Sequence, residues 1–462
     1  MAFSLVWNVA LVSVLALITR TFLNPLRRLP APFLARFTDA WYFWRVSRGK
    51  FEVDNIELHK KFGPVVRYGP NRVSISDPEA SKTIYGLGTS FAKSDWYQPW
   101  GAPGRWTIFS DQDIQHHAQT RRLYQNTFSM SSLVSYEPYV DECADVFVER
   151  LTELARAGAS VDMGRWFQNY AFDVIGMITY AKRLGFLDRG EDIGDVIAAL
   201  GGHLTYATLV GIFPRLHPVM YWLQTRVLGG EKGRGREFII HFTQQLMAAS
   251  GKFLPSASAN GNDDDGDEPT APAVESFLSK FQSKHTAAPE IFTRYHVLTG
   301  CAANMVAGSD TTAITLSAIL YYLLRNQACL ARLKSEISVF DSLGKLSANP
   351  TFKESQQMPY LQAVIKEALR IHPATGLPIE RVVPPGGSTI AGFDFPAGFG
   401  LGSRTCIGRH ISTLEIGKLV PRILRDFNFT LDGPAAGQTG GWETHNMWFV
   451  KPQDFWVTVT TK

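Results

Sequence analysis

The chain has few cysteines and little net charge, and both shortages exclude whole classes of protein. Four cysteines lie scattered among 462 residues, at positions 143, 301, 329 and 406. Their spacing fits neither a zinc finger nor a disulfide-rich secreted domain. A net charge of +4 is small for this length, so it gives no reason to expect a nucleic-acid partner. These features favour a reduced environment that faces the cytosol.

The sequence also lacks repeats, and it has only one long stretch that is too polar to bury itself. With 45% hydrophobic residues the chain is able to form a large core, in one domain or two. The polar stretch runs from Phe253 to Val274 and is rich in Ser, Ala, Asn, Asp and Pro, with three consecutive aspartates at 263–265. Such a composition predicts a flexible surface loop rather than a domain boundary.

Charge is missing altogether from the first part of the chain, between Ala2 and Thr19. Eighteen helical residues reach about 27 Å, close to the roughly 30 Å of a bilayer core, so residues 1–20 are predicted to form a single membrane anchor. Arginines follow this segment and none precedes it, which places the folded domain on the cytoplasmic side. A cleaved signal peptide is the alternative, although a basic start and a clear cleavage site are lacking. The Pro-rich residues 21–40 are predicted to be a stiff linker, and residues 41–462 the main domain.

Helical periodicity dominates the main domain, and strand-like alternation is confined to short segments. Helices are predicted at 51–62, 140–157, 167–180, 358–371 and 409–425, where Pro421 should kink or interrupt the last of them. Short strands are predicted near residues 65–68 and 72–75 and again near the C-terminus. Three tryptophans between Ser94 and Trp106 stand among prolines and glycines, which predicts an irregular loop. The fold class is therefore mainly α with small β-sheets.

One predicted helix, from Glu290 to Asn326, is apolar on every side of its middle and must run through the core. Its centre reads Ala-Gly-Ser-Asp-Thr-Thr from residue 307 to 312, and these are mostly poor helix formers. A plain kink is one interpretation. The other is a functional opening, in which Asp310 and Thr311 provide an acid and an alcohol that deliver protons.

The most informative stretch is Phe399 to Gly408, which reads Phe-Gly-Leu-Gly-Ser-Arg-Thr-Cys-Ile-Gly. Its glycines free the backbone to approach a flat cofactor closely, and the backbone N–H groups of such a turn stabilise a thiolate at Cys406. Arg404 is a cation suited to a carboxylate on the edge of that cofactor. A lone cysteine is more often a buried structural residue, but here it stands inside a complete pattern.

Two further pairs of residues are weak signals when they are taken alone. His117 and Arg121 are four apart on one helical face and are able to reach a single anion, although an exposed basic face has the same pattern. Glu367 and Arg370 are three apart, and such pairs occur by chance on many solvated helices.

Four motifs follow one another along the chain: the His117–Arg121 pair, residues 307–312, the Glu367–Arg370 pair and the stretch Phe399 to Gly408. In this order they resemble the motifs of the cytochrome P450 family, and the likeness covers nearly the whole chain. It is nearest to fungal, membrane-anchored members of the pisatin-demethylase kind. The resemblance implies a haem b whose iron is bound by the Cys406 thiolate, a ligand type that favours cleavage of the O–O bond. It also implies a monooxygenase that acts on a small lipophilic metabolite, with electrons from NADPH through a cytochrome P450 reductase, at the endoplasmic reticulum membrane and facing the cytoplasm.

The same resemblance implies a role for each matching residue. His117, Arg121, Arg381 and Arg404 neutralise the haem propionates, while Phe399 and Gly408 belong to the ligand loop. Asp310 and Thr311 deliver protons to the haem site. Glu367 and Arg370 form the family's structural ion pair, and the loop around Trp96 to Trp106 covers the substrate.

The sequence departs from the family at one junction, between Gly398 and Phe399. Family members run through a strand, a helix and a meander before the ligand loop, and roughly fifty to sixty residues of that layout are absent here. The absent part includes the arginine that normally joins Glu367 and Arg370, which leaves that pair without its third arm. A splice variant, a gene-model error and a decayed gene all fit. The alternative function is therefore a membrane-anchored pseudoenzyme that binds haem poorly.

Overall fold

A computed structural model describes residues 8, 19, 23–86, 88–227, 235–251, 274–396, 406–433 and 442–462 of the chain. The predicted anchor, residues 1–20, therefore lies outside the described residues except for Asn8 and Thr19, and nearly all of the predicted loop at 253–274 lies outside them too. Among the site predictions, Phe399 and Arg404 also fall outside the described part.

The described α-helices confirm a mainly α fold. They are α1 (Ala40–Ser47), α2 (Phe51–Phe62), α3 (Pro78–Tyr85), α4 (Ile114–Gln125), α5 (Met130–Val134), α6 (Glu137–Ala157), α7 (Met163–Tyr180), α8 (Phe186–Arg189), α9 (Val196–Ile212), α10 (His217–Arg226), α11 (Gly235–Gly251), α12 (Phe277–Ala287), α13 (Arg294–Arg325), α14 (Gln327–Ser342), α15 (Phe352–Gln356), α16 (Pro359–Ile371) and α17 (Arg409–Asp426). Short 3₁₀ helices occupy Pro25–Arg28, Leu34–Arg36, Asp95–Trp100, Ile193–Asp195 and Pro214–Leu216.

The described strands are short and form small antiparallel sheets. They are β1 (Val65–Gly69), β2 (Arg72–Ile75), β3 (Ala92–Lys93), β4 (Ser160–Asp162), β5 (Arg381–Val382), β6 (Ser388–Ile390), β7 (Phe393–Phe395), β8 (Phe427–Leu431), β9 (Thr444–Met447), β10 (Phe449–Pro452) and β11 (Trp456–Thr461). Strands β4, β11 and β8 form a three-stranded sheet, in which Val457 pairs with both Val161 and Leu431. The other strands pair as β1–β2, β3–β5, β6–β7 and β9–β10.

Helix α13 is the central element, as its apolar middle predicts. It begins with a capping box between Thr293 and His296 and runs for 32 residues. Helix α7 packs along it, and α16, α17 and strand β10 approach its other sides. Residues from Cys301 to Leu324 are mostly buried, so α13 forms the axis of the main hydrophobic core.

Two local predictions were wrong. Residues 95–100 form a 3₁₀ helix rather than an irregular loop. Helix α17 runs through Pro421 to Asp426 without interruption. The stiff linker at 21–40 stays a prediction; in its described part, Leu26 and Leu29 are buried beside β1, and the Arg67 guanidinium donates to the carbonyl of Arg36 at 3.1 Å.

Candidate active site

The described part of the ligand turn consists of Cys406, Ile407 and Gly408, which lead directly into α17. Cys406 carries a free thiol and is exposed, whereas Cys143 and Cys301 are buried. Gly408 is the residue that precedes the first turn of α17, and its carbonyl accepts from Ile411 N at 2.9 Å. The positive end of the α17 dipole thus lies next to Cys406 and favours an anion there.

Helix α4 brings Arg121 towards this thiol. Asp113 starts the helix by accepting from the backbone N–H groups of residues 115 and 116 at 2.8 and 2.9 Å. Burial lowers the pKa of Arg121. Attraction to Cys406 raises this pKa again in part, and repulsion from Arg409 lowers it further. Arg121 is therefore within electrostatic reach of the cysteine, and His117 is buried one turn before it.

Arg381 provides a second cation in the interior and is only 1% exposed. Its Nη1 donates to the Tyr97 hydroxyl at 3.1 Å and to the Glu380 carbonyl at 2.6 Å. Its Nε is buried and has no hydrogen-bond partner among the described residues. A buried guanidinium with an unused donor fits a carboxylate on a bound group.

An open stripe runs along the middle of α13, centred on Ala307, and the adjacent Val306 and Gly308 are half-buried too. Ala303 and Thr311 are half-buried and Ala307 is exposed, although most of the surrounding helix is buried. These residues are spaced by four, so they share one face. Thr311 Oγ1 donates to the carbonyl of Ala307 at 2.9 Å, which keeps the hydroxyl on this open stripe.

The stripe and the ligand turn are joined through a direct contact between two helices. Thr312 Oγ1 on α13 donates to Ser412 Oγ on α17 at 2.9 Å. Ser412 lies in the first turn of α17, six residues after Cys406, and Thr312 is the neighbour of Thr311. The first turn of α17, which follows the ligand turn, therefore contacts the middle of α13 next to the open stripe.

Asp310 and Thr311 do not face the same way. The Asp310 carboxylate is 1% exposed, forms an ion pair with Lys451 Nζ at 2.8 Å and accepts from Gln168 on α7.

Gly308 does not create the opening that the sequence suggested, because a Cβ at this position would meet Ile175 Cγ1 at 2.5 Å. The glycine permits close packing of α7 on α13, and the exposed alanine rather than Gly308 makes the opening.

Glu367 and Arg370 form the expected ion pair, but on the surface. Arg370 Nε and Nη2 donate to the two Glu367 oxygens at 2.7 and 2.6 Å, and the two side chains are 69% and 55% exposed. These bonds lower the pKa of the Glu367 carboxyl. Leu369 and Ile371 beside them are exposed too. This face of α16 has no cover among the described residues.

Sequence reasoning missed several residues that the structure brings to this region. Lys451 and Gln168 reach Asp310 from distant segments, and no local pattern marks either of them. Glu415 on α17 is fully buried, and neither carboxylate oxygen has a hydrogen-bond partner among the described residues. The spacing of four from Ile411 to Glu415 and again to Leu419 would have placed this acid on the core face of α17.

The donor set fits a haem. A haem thiolate site uses four kinds of group, and all are present here. They are an exposed thiol at a helix start (Cys406), a cation within its electrostatic reach (Arg121), a buried guanidinium with a free donor (Arg381) and an open stripe on the central helix. Arg404 and Phe399 remain predictions, since they lie outside the described residues.

Comparisons with known proteins agree with the motifs. The family model described as Cytochrome P450 matches residues 40–398. A pisatin demethylase from Fusarium vanettenii is 33% identical, with 94% of this chain and 88% of the relative covered. Cytochrome P450 monooxygenases from Penicillium aethiopicum and Emericella nidulans are 31% and 32% identical, each over 95% of this chain and 94% of the relative.

The same alignments contain positions that this chain does not fill. The alignment with the pisatin demethylase has 483 positions, whereas 94% of 462 residues is about 434, so about 49 positions have no residue from this chain. The family match ends at Gly398, one residue before the ligand loop begins.

Proposed function

The chain belongs to the cytochrome P450 family, and we propose that it inserts one oxygen atom from O2 into a small lipophilic metabolite of fungal secondary metabolism. Its relatives are monooxygenases, and members of the family carry haem on a cysteine thiolate and receive electrons from a reductase. The observation that carries the proposal is the exposed Cys406 thiol just before α17, whose first turn contacts the middle of α13.

The bound haem supplies the oxidising chemistry, and the residues of this chain hold it and control protons. Cys406 is the iron ligand, in the turn that ends at Gly408. Arg121, Arg381 and His117 would neutralise the propionates. The same role for Arg404, and a place for Phe399 beside the sulfur, remain predictions from the family's motif. A cation near Cys406 also stabilises the thiolate form that an iron ligand requires.

Thr311 and Asp310 divide the task of proton supply. The Thr311 hydroxyl lies on the open stripe and donates to the carbonyl of Ala307, so it would hold a proton on the face of α13 that a haem site would use. Asp310 lies one residue away but faces Lys451, which is 30% exposed. The carboxylate is thus able to exchange protons towards solvent on the side of Lys451 and to supply the site after a rotation of its side chain.

A membrane anchor at residues 1–20 is proposed to hold the domain on the cytoplasmic face of the endoplasmic reticulum. Within the described residues, Ile193–Ile212 alone is long and apolar enough to span a membrane. Most of this segment is α9, which packs against α11 and the 3₁₀ helix at 95–100. The anchor proposal therefore depends on the uncharged sequence of residues 2–19.

Oxygen labelling tests the proposed reaction. The full chain is expressed in yeast with a fungal NADPH-dependent reductase, and membranes are supplied with NADPH, lipophilic fungal extract and ¹⁸O₂. The expected result is a product with one ¹⁸O atom that Cys406→Ala membranes do not form. Products that take their oxygen from labelled water instead would contradict a monooxygenase.

A second candidate, a P450-like protein that binds haem poorly, is favoured by the junction at Gly398. Three observations favour the loss of a segment that normally holds the ligand loop in place. They are the alignment positions that this chain does not fill, the end of the family match and the exposure of the Glu367–Arg370 pair. A thiolate ligand needs that support to stay in place.

Inserting a family-like segment between Gly398 and Phe399 separates the two candidates. If the segment is needed, haem occupancy and thermal stability rise together in the extended chain. The Glu367 and Arg370 side chains then also become covered and lose their exposure to solvent. Equal occupancy and stability in the two chains would rule out the second candidate. Sequencing the transcript across this junction shows which form is made.

A further inference from the structure

A surface cleft lies between residues 31–33 of the predicted linker and helices α1 and α2, and we call it the linker cleft. Its volume is about 400 Å³, which is within the range of small-molecule sites. One wall comes from the linker, and the others come from the facing sides of the two helices. None of the residues that line it belongs to the proposed haem site, so the cleft is a separate feature of the surface.

The inner part of the linker cleft is apolar. Trp41 and Leu58 are each 9% exposed and belong to the main core, whereas Phe33 is 73% exposed and so lies at the mouth. A large exposed ring beside an apolar cleft is typical of a surface that binds an apolar group. The full apolar lining is Ala31, Pro32, Phe33, Trp41, Leu58 and Phe62.

The charged lining of the cleft comes from the two helices and contains both signs: Arg45, Asp54, Glu57 and Lys61. Arg45 Nη1 on α1 donates to Asp54 Oδ1 on α2 at 3.0 Å, and the two side chains are 30% and 25% exposed. Glu57 pairs with Lys60 at 2.8 Å, but these side chains are 62% and 67% exposed, so the pair is able to change partners at little cost. The rim therefore matches a head group that carries a negative and a positive charge.

Arg45 is arranged to receive an anion. Its Cζ lies 4.7 Å from the Trp44 ring centroid and 5.4 Å from that of Trp41, and these contacts restrain the guanidinium. Asp54 takes Nη1, while the buried Nε has no hydrogen-bond partner in the described part of the chain. A guanidinium binds phosphate oxygens through two neighbouring N–H groups, and the Nε side of Arg45 is the one left for them.

The position of the linker cleft favours a membrane lipid as its occupant. Its linker wall starts at Ala31, 11 residues after the predicted anchor ends at residue 20, so the chain between them spans at most about 40 Å. Leu34 is 57% exposed beside Phe33, and Trp44 is 50% exposed beside Arg45. Exposed tryptophan and apolar side chains near basic residues are typical of the zone where lipid head groups lie.

We propose that the linker cleft binds one zwitterionic phospholipid, with its phosphate at Arg45, its ammonium at Glu57 and an acyl chain on the apolar lining. A fatty acid lacks the positive charge that Glu57 attracts, and free phosphate lacks the chain that the apolar lining requires. The inference goes beyond the proposed monooxygenase and does not involve haem. It shares only the membrane anchor with the proposed function, because the anchor brings the cleft to a lipid surface.

Three probes separate the contributions of head group and chain. Oleoyl-lysophosphatidylcholine has both, monoolein has the same chain without phosphate or ammonium, and phosphocholine has the head group alone. Native mass spectrometry of the full chain, purified in a non-ionic detergent, measures their apparent dissociation constants. Lysophosphatidylcholine is expected to bind tightest. Arg45→Gln should weaken its binding about ten-fold and leave monoolein binding unchanged, which also shows that the cleft is still formed.

Arg48→Gln is the matched control and should change nothing. Arg48 follows the last residue of α1 and lies over the same Trp44 ring at 5.3 Å, but it does not line the cleft. Phe33→Ser, at a strongly exposed site, should weaken the binding of lysophosphatidylcholine and monoolein alike, by about three-fold.

Three results would each overturn the inference: equal effects of Arg45→Gln and Arg48→Gln, equal affinity for monoolein and lysophosphatidylcholine, or phosphocholine binding as tight as that of lysophosphatidylcholine. Carbonate extraction of membranes tests the anchor separately. A chain that resists extraction but gives any of these results keeps its anchor and loses the lipid site. A chain that is extracted but binds the probes in the expected order loses the anchor and keeps the site.

Discussion

Lys451 Nζ lies 2.8 Å from Asp310 Oδ2, and this ion pair ties strand β10 to the middle of the central helix. The carboxylate is 1% exposed and the lysine side chain 30% exposed, so the pair spans the distance from the core to solvent. Lys451 makes no hydrogen bond to Oδ2, which has no hydrogen-bond partner among the described residues. The attraction is therefore mainly electrostatic.

Replacing Lys451 by methionine should destabilise the chain, because Asp310 is left buried without its cation. We expect a loss of about 1–3 kcal/mol in the free energy of unfolding. Adding Asp310→Asn should recover most of it, since the neutral amide needs no counter-charge. Chemical denaturation of the single and double variants measures both effects. Lys50→Met is the control, because its pair with Glu443 is exposed and worth less than about 1 kcal/mol; losses of equal size at the two lysines would refute this account.

Gly308→Ala should destabilise the packing of α7 on α13. The new methyl group would meet Ile175 Cγ1 at 2.5 Å, and overpacking of this kind costs about 1–3 kcal/mol. Gly201→Ala is the matched helical control, because nothing lies within 4 Å of a Cβ there, and it should stabilise the chain by up to about 1 kcal/mol. Thermal unfolding shows the two signs. A stabilising effect at position 308 would mean that α7 and α13 are not packed this closely.

Glu415 should make stability depend on pH. Burial raises the pKa of its carboxyl well above the ordinary value, so the folded chain holds this proton and the unfolded chain releases it. The stabilisation is present below the unfolded pKa and is lost, by about 1.4 kcal/mol per pH unit, as pH rises towards the folded pKa. Glu415→Gln should flatten this slope, and Glu57→Gln, at an exposed site, should not. Unfolding curves from pH 5 to pH 8 provide the comparison, and an unchanged slope in Glu415→Gln would disprove the assignment.

Thr311→Ala should leave haem binding intact but uncouple NADPH use from product formation. The hydroxyl lost is the one on the open stripe of α13, so electrons would leave as hydrogen peroxide when proton supply is poorly controlled. Thr315→Ala removes the equivalent bond one turn further on, at a site that is 4% exposed, and should keep the coupling. Peroxide released per NADPH is the measurement. Similar ratios in Thr311→Ala and wild type would exclude the proposed role.

The elements with a strong local signal could be predicted from the sequence. The spacing of apolar residues along α13, α16 and α17 is visible within each segment alone, and the Asp113 cap marks the start of α4. Pro421 shows the limit of local reasoning, because packing of α17 in the core maintains a helix that a proline should interrupt. Tertiary contacts override such preferences.

The orientation of the site residues could not be read in the same way. Asp310 and Thr311 are neighbours, so periodicity alone puts them about 100° apart on α13, and only the fold shows that Lys451 attracts one of them. Trp448 gives no sequence signal for its left-handed backbone, since glycine or asparagine would be expected there. The burial of Glu415 was predictable from its spacing to Ile411 and Leu419.

The difference spectrum of the reduced protein with carbon monoxide tests the central claim most directly. The purified full chain should show the red-shifted Soret band of a thiolate haem, because Cys406 is the proposed iron ligand. Cys406→Ala should abolish that band, and Cys329→Ala, at a half-buried cysteine on α14, should retain it. A Cys406→Ala variant that keeps the band would contradict the assignment of the site.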